Sequence, residues 1–287
     1  MKLATIYCHL ALIIITINLT ISCKQPSVPI SRSGYILGPV SNIFVVTTEN
    51  KDSLSEEHLA AAVLLTNVMS TGKRKFCSGT LIQGETPDSV YRVVTNFHCF
   101  SDEETKLIDT ASSGKINAQV SSICAGTKVI FGHIKGEQYK EEVGDCSTDG
   151  FRYDIDADLA LFKLMKNPSP RFMPGSIWQE DEIPPNRSAR VVHFPTLDLS
   201  DPKNLENMLE NKTLGISLPA AQATIDNCKV LGRFPEEDWH LDPALKMGMK
   251  HTCDQIKGSS GSALWDAELN LILGINWGGI TLNYPNS

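Results

Sequence analysis

The sequence predicts an all-β protein, either a barrel or a sandwich. Short apolar runs rich in Val, Ile, Leu and Phe recur along the chain, each bounded by turn residues. They do not alternate regularly with helical segments, as a parallel βαβ fold would require. The chain also carries 8 cysteines with no C-x-x-C pair, which fits a disulfide-bonded framework better than a zinc site.

The bulk numbers agree. A chain of 287 residues holds one large β domain or two small ones, with room for a real core. Its 41% hydrophobic and 21% charged content is that of a folded globular protein. The net charge of -7 argues against nucleic acid as a main partner, because phosphate binding needs a basic face.

Taken in order, the chain begins with Lys2 and a long apolar run, "LATIYCHLALIIITINL", that ends in "TIS" just before Cys23. These are the three parts of a secretory signal, so residues 1–22 are expected to be removed and the protein exported. The "TISC" ending resembles a bacterial lipoprotein signal, in which Cys23 becomes the lipidated first residue and attaches the protein to a membrane. Ordinary cleavage near Ser22 and an uncleaved anchor remain as alternatives. Residues 23–34, polar and proline-bearing, read as a tether. No second span long enough to cross a membrane follows.

"FCSGTLI" and "SVYRVVTNFHC" flank the turn "QGETPD" and read as a hairpin. "TKVIFGHI", "DLALFKL", "ARVVHF", "QATIDNCKVLG", "SALWD" and "LNLILGINWG" supply further strands. "SEEHLAAAVLLTNVM" has helical composition, yet its apolar centre also fits a buried strand. "SDPKNLENMLEN" predicts a short surface helix, with a proline in its first turn and Leu205, Met208 and Leu209 on one face. The proline-rich "MKNPSPRFMPG" marks a linker between two halves.

Cys8 leaves with the signal. With Cys23 lipidated, six cysteines remain, an even number suited to an oxidising compartment. Sequence order suggests Cys77–Cys99, Cys124–Cys146 and Cys228–Cys253, though six cysteines admit many pairings.

The stretch "KGSSGSALWD" places serines between glycines ahead of an apolar run. A serine hydroxyl is a weak nucleophile and needs a base oriented by an acid. Histidine suits the base because it titrates near neutrality. None of the 7 histidines follows Ser260, so the order is His, Asp, Ser rather than that of an α/β-hydrolase. His98 ends the strand "YRVVTNF" and precedes Cys99, which fixes its backbone. Asp154, Asp156 and Asp158 are the candidate acids, and Asp158 joins directly to the strand "LALFKL".

Together, "CSGTLI", "VVTNFHC", "DLALFKL", "GSSGSAL" and "GINWGG" resemble the trypsin-like serine proteases, and among them the bacterial glutamyl-endopeptidase-like branch. The match spans Phe76 to Gly279. It implies two packed six-stranded antiparallel β-barrels with the active site in the cleft between them. The protease domain would be residues 35–287, divided into 35–168 and 169–287. The resemblance implies a His98–Asp158–Ser260 triad acting on polypeptide substrates, with Gly258 and Ser260 supplying oxyanion-hole N–H groups. Asp254, Gln255, Asn276, Trp277 and Gly278 would bind substrate, and neither a metal nor a cofactor is expected.

Two departures qualify this. Ser259 stands where trypsin-type zymogens keep an aspartate, so no activation switch of that kind is expected. Asp254, six residues before Ser260, has the spacing of a pocket acid for lysine or arginine, whereas Asn276 stands where glutamyl endopeptidases keep a histidine. The alternative function is a catalytically silent homologue that binds protein; an esterase is disfavoured by the histidine order.

Overall fold

The computed structural model describes residues 42–277 except 55, 68–73, 85–89, 101–123, 138–139, 155–156, 181, 197–201, 240–242 and 257. The expected signal and tether, Cys23 and Gly278 therefore lie outside the described residues. Strands dominate. They are β1 (Ile43–Val45), β2 (Ala61–Asn67), β3 (Arg74–Ile82), β4 (Arg92–Asn96), β5 (Lys128–Phe131), β6 (Glu142–Asp145), β7 (Arg152–Asp154) and β8 (Leu159–Lys163). Beyond the proline-rich segment follow β9 (Ser176–Ile177), β10 (Ala189–His193), β11 (Met208–Asn211), β12 (Ile216–Pro219), β13 (Gln222–Thr224), β14 (Val230–Arg233), β15 (Met249–His251), β16 (Ala263–Asp266) and β17 (Leu271–Ile275).

The first seven-stranded sheet has the order β6-β5-β2-β3-β4-β8-β7. Its edge strand β6 comes back to the end of β8 around the Cys146–Leu164 bridge, where Met165 N donates to the Asp145 carbonyl and Ser147 N to the Lys163 carbonyl. The second sheet has six strands in the order β1-β13-β10-β16-β17-β9, and the ribbons β11-β12 and β14-β15 stand beside them. The protein is all-β as expected, but the sheets are not two closed six-stranded barrels. β1 comes first in the chain and pairs with β13 of the second sheet, Ile43 opposite Thr224.

The two ambiguous segments resolve for packing reasons. Among the described residues of "SEEHLAAAVLLTNVM", α1 (Glu57–Ala60) is helical and the apolar run is β2. Ala62 and Leu64 enter one core cluster with Leu81, Val93, Phe131 and Phe162. Ala61, Val63 and Leu65 enter a second with Ile130, Val192, Phe194 and Leu218. With both faces buried, β2 shows no polar alternation to distinguish it from a helix. The helix expected over "SDPKNLENMLEN" is shorter than predicted: α2 spans Pro202–Leu205, and Met208–Asn211 is β11. Leu205 is exposed, whereas Leu209 lies opposite Leu218 in the ribbon and is buried. Asn211 donates to Glu141 Oε2 at 2.6 Å, and Glu141 Oε1 lies 2.6 Å from Nδ1 of the fully buried His133. These contacts, supplied by distant residues, outweigh helix propensity.

The disulfides are Cys77–Cys99, Cys124–Cys146 and Cys228–Cys253, as sequence order suggested. Each closes a loop of 22 or 25 residues. Such closure contributes about 3 kcal/mol in the chain-entropy account.

Leu64 is completely buried at the centre of the first sheet. Leu64→Ala should lower stability by about 2–5 kcal/mol through lost apolar contact and a residual cavity. A reduced urea midpoint at unchanged slope would show it.

Candidate active site

β4 ends at Asn96, and the chain turns at once through a single 3-10 turn, Phe97–Cys99. His98 sits in that turn, 8% exposed. The Cys77–Cys99 bridge holds it to β3. Thr66 Oγ1 donates to the Cys99 carbonyl at 2.8 Å, and Lys75 Nζ to the His98 carbonyl at 2.5 Å.

Asp158 stands immediately before β8 with φ 51, a left-handed conformation that aspartate tolerates better than most residues. That conformation turns its carboxylate back onto the His98 turn. Oδ1 accepts the His98 backbone N–H at 2.8 Å, and Oδ2 lies 2.5 Å from His98 Nδ1. Its carbonyl accepts from Phe97 N and Asn96 Nδ2, both at 3.0 Å. With Nδ1 held by the carboxylate, Nε2 is the ring nitrogen left to exchange a proton. Of the other acids considered, Asp154 caps the local turn by accepting Ala157 N at 2.9 Å, and Asp156 is outside the described residues.

Ser260 lies in the loop before β16, partly exposed. Its carbonyl accepts Ser78 N at 2.9 Å, and Ser78 directly follows the disulfide cysteine Cys77. Gly261 has φ 87, and a Cβ there would come within 2.0 Å of Thr95 Oγ1 and 2.1 Å of the Ser78 carbonyl. Only glycine permits this approach, which seats the loop against Thr95 of β4 and Ser78 of β3. Gly258 has φ 95, and a Cβ there would lie 2.3 Å from Thr196 N. The N–H groups of Gly258 and Ser260 donate to no acceptor among the described residues. His98, Asp158 and the Ser260 loop are thus tied to the end of β4 and to Cys77 and Ser78 at the middle of β3.

The remaining candidates divide. Asn276 and Trp277 line a cleft of about 700 Å³ that also includes Asn96, Leu159, Trp178 and His251. Asn276 is buried, and its Nδ2 faces the Ser259 carbonyl and Ser262 Oγ at 3.4 and 3.3 Å. Asp254, 1% exposed, accepts the Asn42 backbone N–H at 2.8 Å. Gln255 is buried against His251, its side-chain amide 2.6 Å from Nε2. Cys77, His98 and Cys99 place potential ligand atoms close together, but both sulfurs are consumed by the disulfide. Sequence reasoning missed Ser78, Thr95 and His193, which brace the serine loop. Their strands are legible, but their partners lie far away along the chain.

An all-β fold of this kind is that of the trypsin-like serine proteases. The chain belongs to the lysyl endopeptidase C-terminal domain family, whose sequence model matches residues 42–283. Its homologues are serine endopeptidases. Among solved structures it is similar to a Glu endopeptidase in complex with MPD, at 14% identity and TM-score 0.48, covering 85% of this chain and 88% of that one. It is also similar to Deg5, at 15% identity and TM-score 0.47, covering 80% and 84%. The active form of the Rv3671c protease from M. tuberculosis is similar at 17% identity and TM-score 0.43, covering 85% and 84%. No curated protein matches.

Burial pushes His193 and His251 down from 6.5 to about 4. The unfolded chain takes up these protons near pH 6.5, the folded protein only near 4. The stability this contributes is full above about pH 6.5 and is lost as pH falls towards 4. For fully buried His193 this amounts to about 3 kcal/mol. Calorimetry across pH should show Tm falling between pH 7 and pH 4.5, with a shallower fall in His193→Gln.

Proposed function

We propose that this protein is an exported serine endopeptidase using His98, Asp158 and Ser260 through an acyl-enzyme intermediate. The observation that carries the reading is the His98 turn clamped by both oxygens of Asp158, with the serine loop hydrogen-bonded to Ser78 next to the Cys77–Cys99 bridge that holds that turn. Ser260 Oγ attacks the substrate carbonyl carbon, and its proton passes to His98 Nε2. The carbonyl π electrons move to oxygen, which the Gly258 and Ser260 N–H groups stabilise. Collapse breaks the C–N bond, and His98 gives its proton to the departing amine. Water then repeats the sequence on the acyl-enzyme and frees Ser260. Asp158 holds the imidazole in the useful tautomer and stabilises its protonated form.

Export is supported by the leader-like first 22 residues and by three disulfides, which suit an oxidising compartment. Lipidation at Cys23 is part of the same reading. A fluorophosphonate probe should label the folded protein but not Ser260→Ala. Both Ser260→Ala and His98→Ala should lose roughly a million-fold in kcat, and Asp158→Asn about ten-thousand-fold. Folded wild type that resists the probe would make the protein a silent binding homologue instead.

We further propose cleavage after basic residues. The chain belongs to a lysyl endopeptidase family, and Asn276, which lines the cleft, offers no charge to a glutamate side chain. Profiling on a peptide library should show cutting after lysine or arginine; strong cutting after glutamate would overturn this.

A further inference from the structure

The serine loop contains two glycines at positive φ, so its own backbone does not fix where the N–H groups point. Two relays from the end of β10 do so. In the first, Phe194 N donates to Ser78 Oγ at 2.8 Å, and Ser78 Oγ donates to the Gly258 carbonyl at 3.0 Å. In the second, His193 Nδ1 lies 2.5 Å from Ser259 Oγ, which in turn lies 2.6 Å from the Ile256 carbonyl. Ser259 is held at its other atoms as well. Its N–H donates to the Ile256 carbonyl at 3.0 Å, and its carbonyl accepts Ser262 N at 3.0 Å and Ser262 Oγ at 2.7 Å.

Chemistry fixes the direction of the second relay. The Ile256 carbonyl can only accept, so it takes the single Ser259 hydroxyl proton. Nδ1 of His193 must then carry hydrogen and donate to Ser259 Oγ. This tautomer leaves Nε2, which has no partner among the described residues, as a bare lone pair rather than a stranded N–H. A buried unmet acceptor is tolerated better than a buried unmet donor. His193 itself is 0% exposed, lies opposite Gln222 on β13 and is followed by buried Phe194, so it forms a rigid post.

We propose that His193 is a positioning residue for peptide hydrolysis. Through Ser259 it holds the Gly258 and Ser260 N–H groups in the orientation that receives the developing oxyanion. It does not touch substrate. The inference rests on the triad reading above. Loss of either relay partner should weaken the transition state more than substrate binding.

The test is steady-state kinetics on wild type, Ser259→Ala, His193→Leu, His193→Asn and the Ser259→Ala/His193→Leu double variant, with affinity for a peptide boronate measured alongside. Ser259→Ala and His193→Leu should each lose about 10- to 100-fold in kcat, with KM changed less than about threefold and boronate affinity falling in parallel. The double variant should be no worse than the weaker single one, because both cut one relay. His193→Asn, whose side-chain NH2 stands near the place of Nδ1 and can donate to Ser259 Oγ, should recover most of the activity. Losses that multiply in the double variant, or Ser259→Ala with unchanged kcat and boronate affinity, would overturn the proposal. Should His193→Leu fail to fold, Ser259→Ala decides alone. Wild type that fluorophosphonate does not label would sink the triad reading itself; labelled wild type with a fully active Ser259→Ala would sink only this one.

Discussion

The site depends first on the Asp158 carboxylate. At 4% exposure it would be costly unless its oxygens were satisfied, and they are satisfied by the His98 backbone and ring. One side chain therefore sets both the position of the His98 turn and the orientation of its imidazole. The left-handed backbone at Asp158 makes this possible, because an extended residue there would aim the carboxylate elsewhere along β8. The pairing of Asn96 with Leu159 brings the two strand ends together so that the clamp can close.

The serine side is built differently. Unlike the His98–Asp158 side, its loop from Gly258 to Ser262 forms no ion pair among the described residues. Its geometry comes from close backbone approach at Gly258 and Gly261 and from hydroxyl relays through Ser78, Ser259 and Ser262. Such neutral hydrogen bonds are individually worth about 1 kcal/mol, so the loop is set by several acting together rather than by one dominant contact. The strands that supply them are rigid because their faces are packed: β10 places Val192 and Phe194 in the core shared with β2. A hydrophobic interior thus serves the chemistry indirectly, by keeping hydrogen-bonding partners in place.

Much of this was legible in the chain. The strands around His98, Asp158 and Ser260 announce themselves as short apolar runs ending in polar residues, and the cysteines pair in sequence order. Other parts were not legible. β2 looks helical because both its faces are buried, and the segment after Leu205 looks helical because its apolar spacing fits either element. Asp254 illustrates the same limit. Its spacing to Ser260 is plain in the sequence, yet the structure turns its carboxylate to the backbone of Asn42, a residue 212 positions away.

The sequence by itself determined the all-β class, the reactive residue types in their order, and the glycines that the serine loop requires. These follow from local composition and spacing, which act over a few residues. The tertiary structure decided which atoms meet. Only there does Asp158 close on His98, does β1 cross to the second sheet, and does His193, unremarkable in "ARVVHF", reach the hydroxyl beside Ser260. Such pairings join residues 60 or more positions apart, and their partners are chosen by packing and by the need to satisfy buried polar groups.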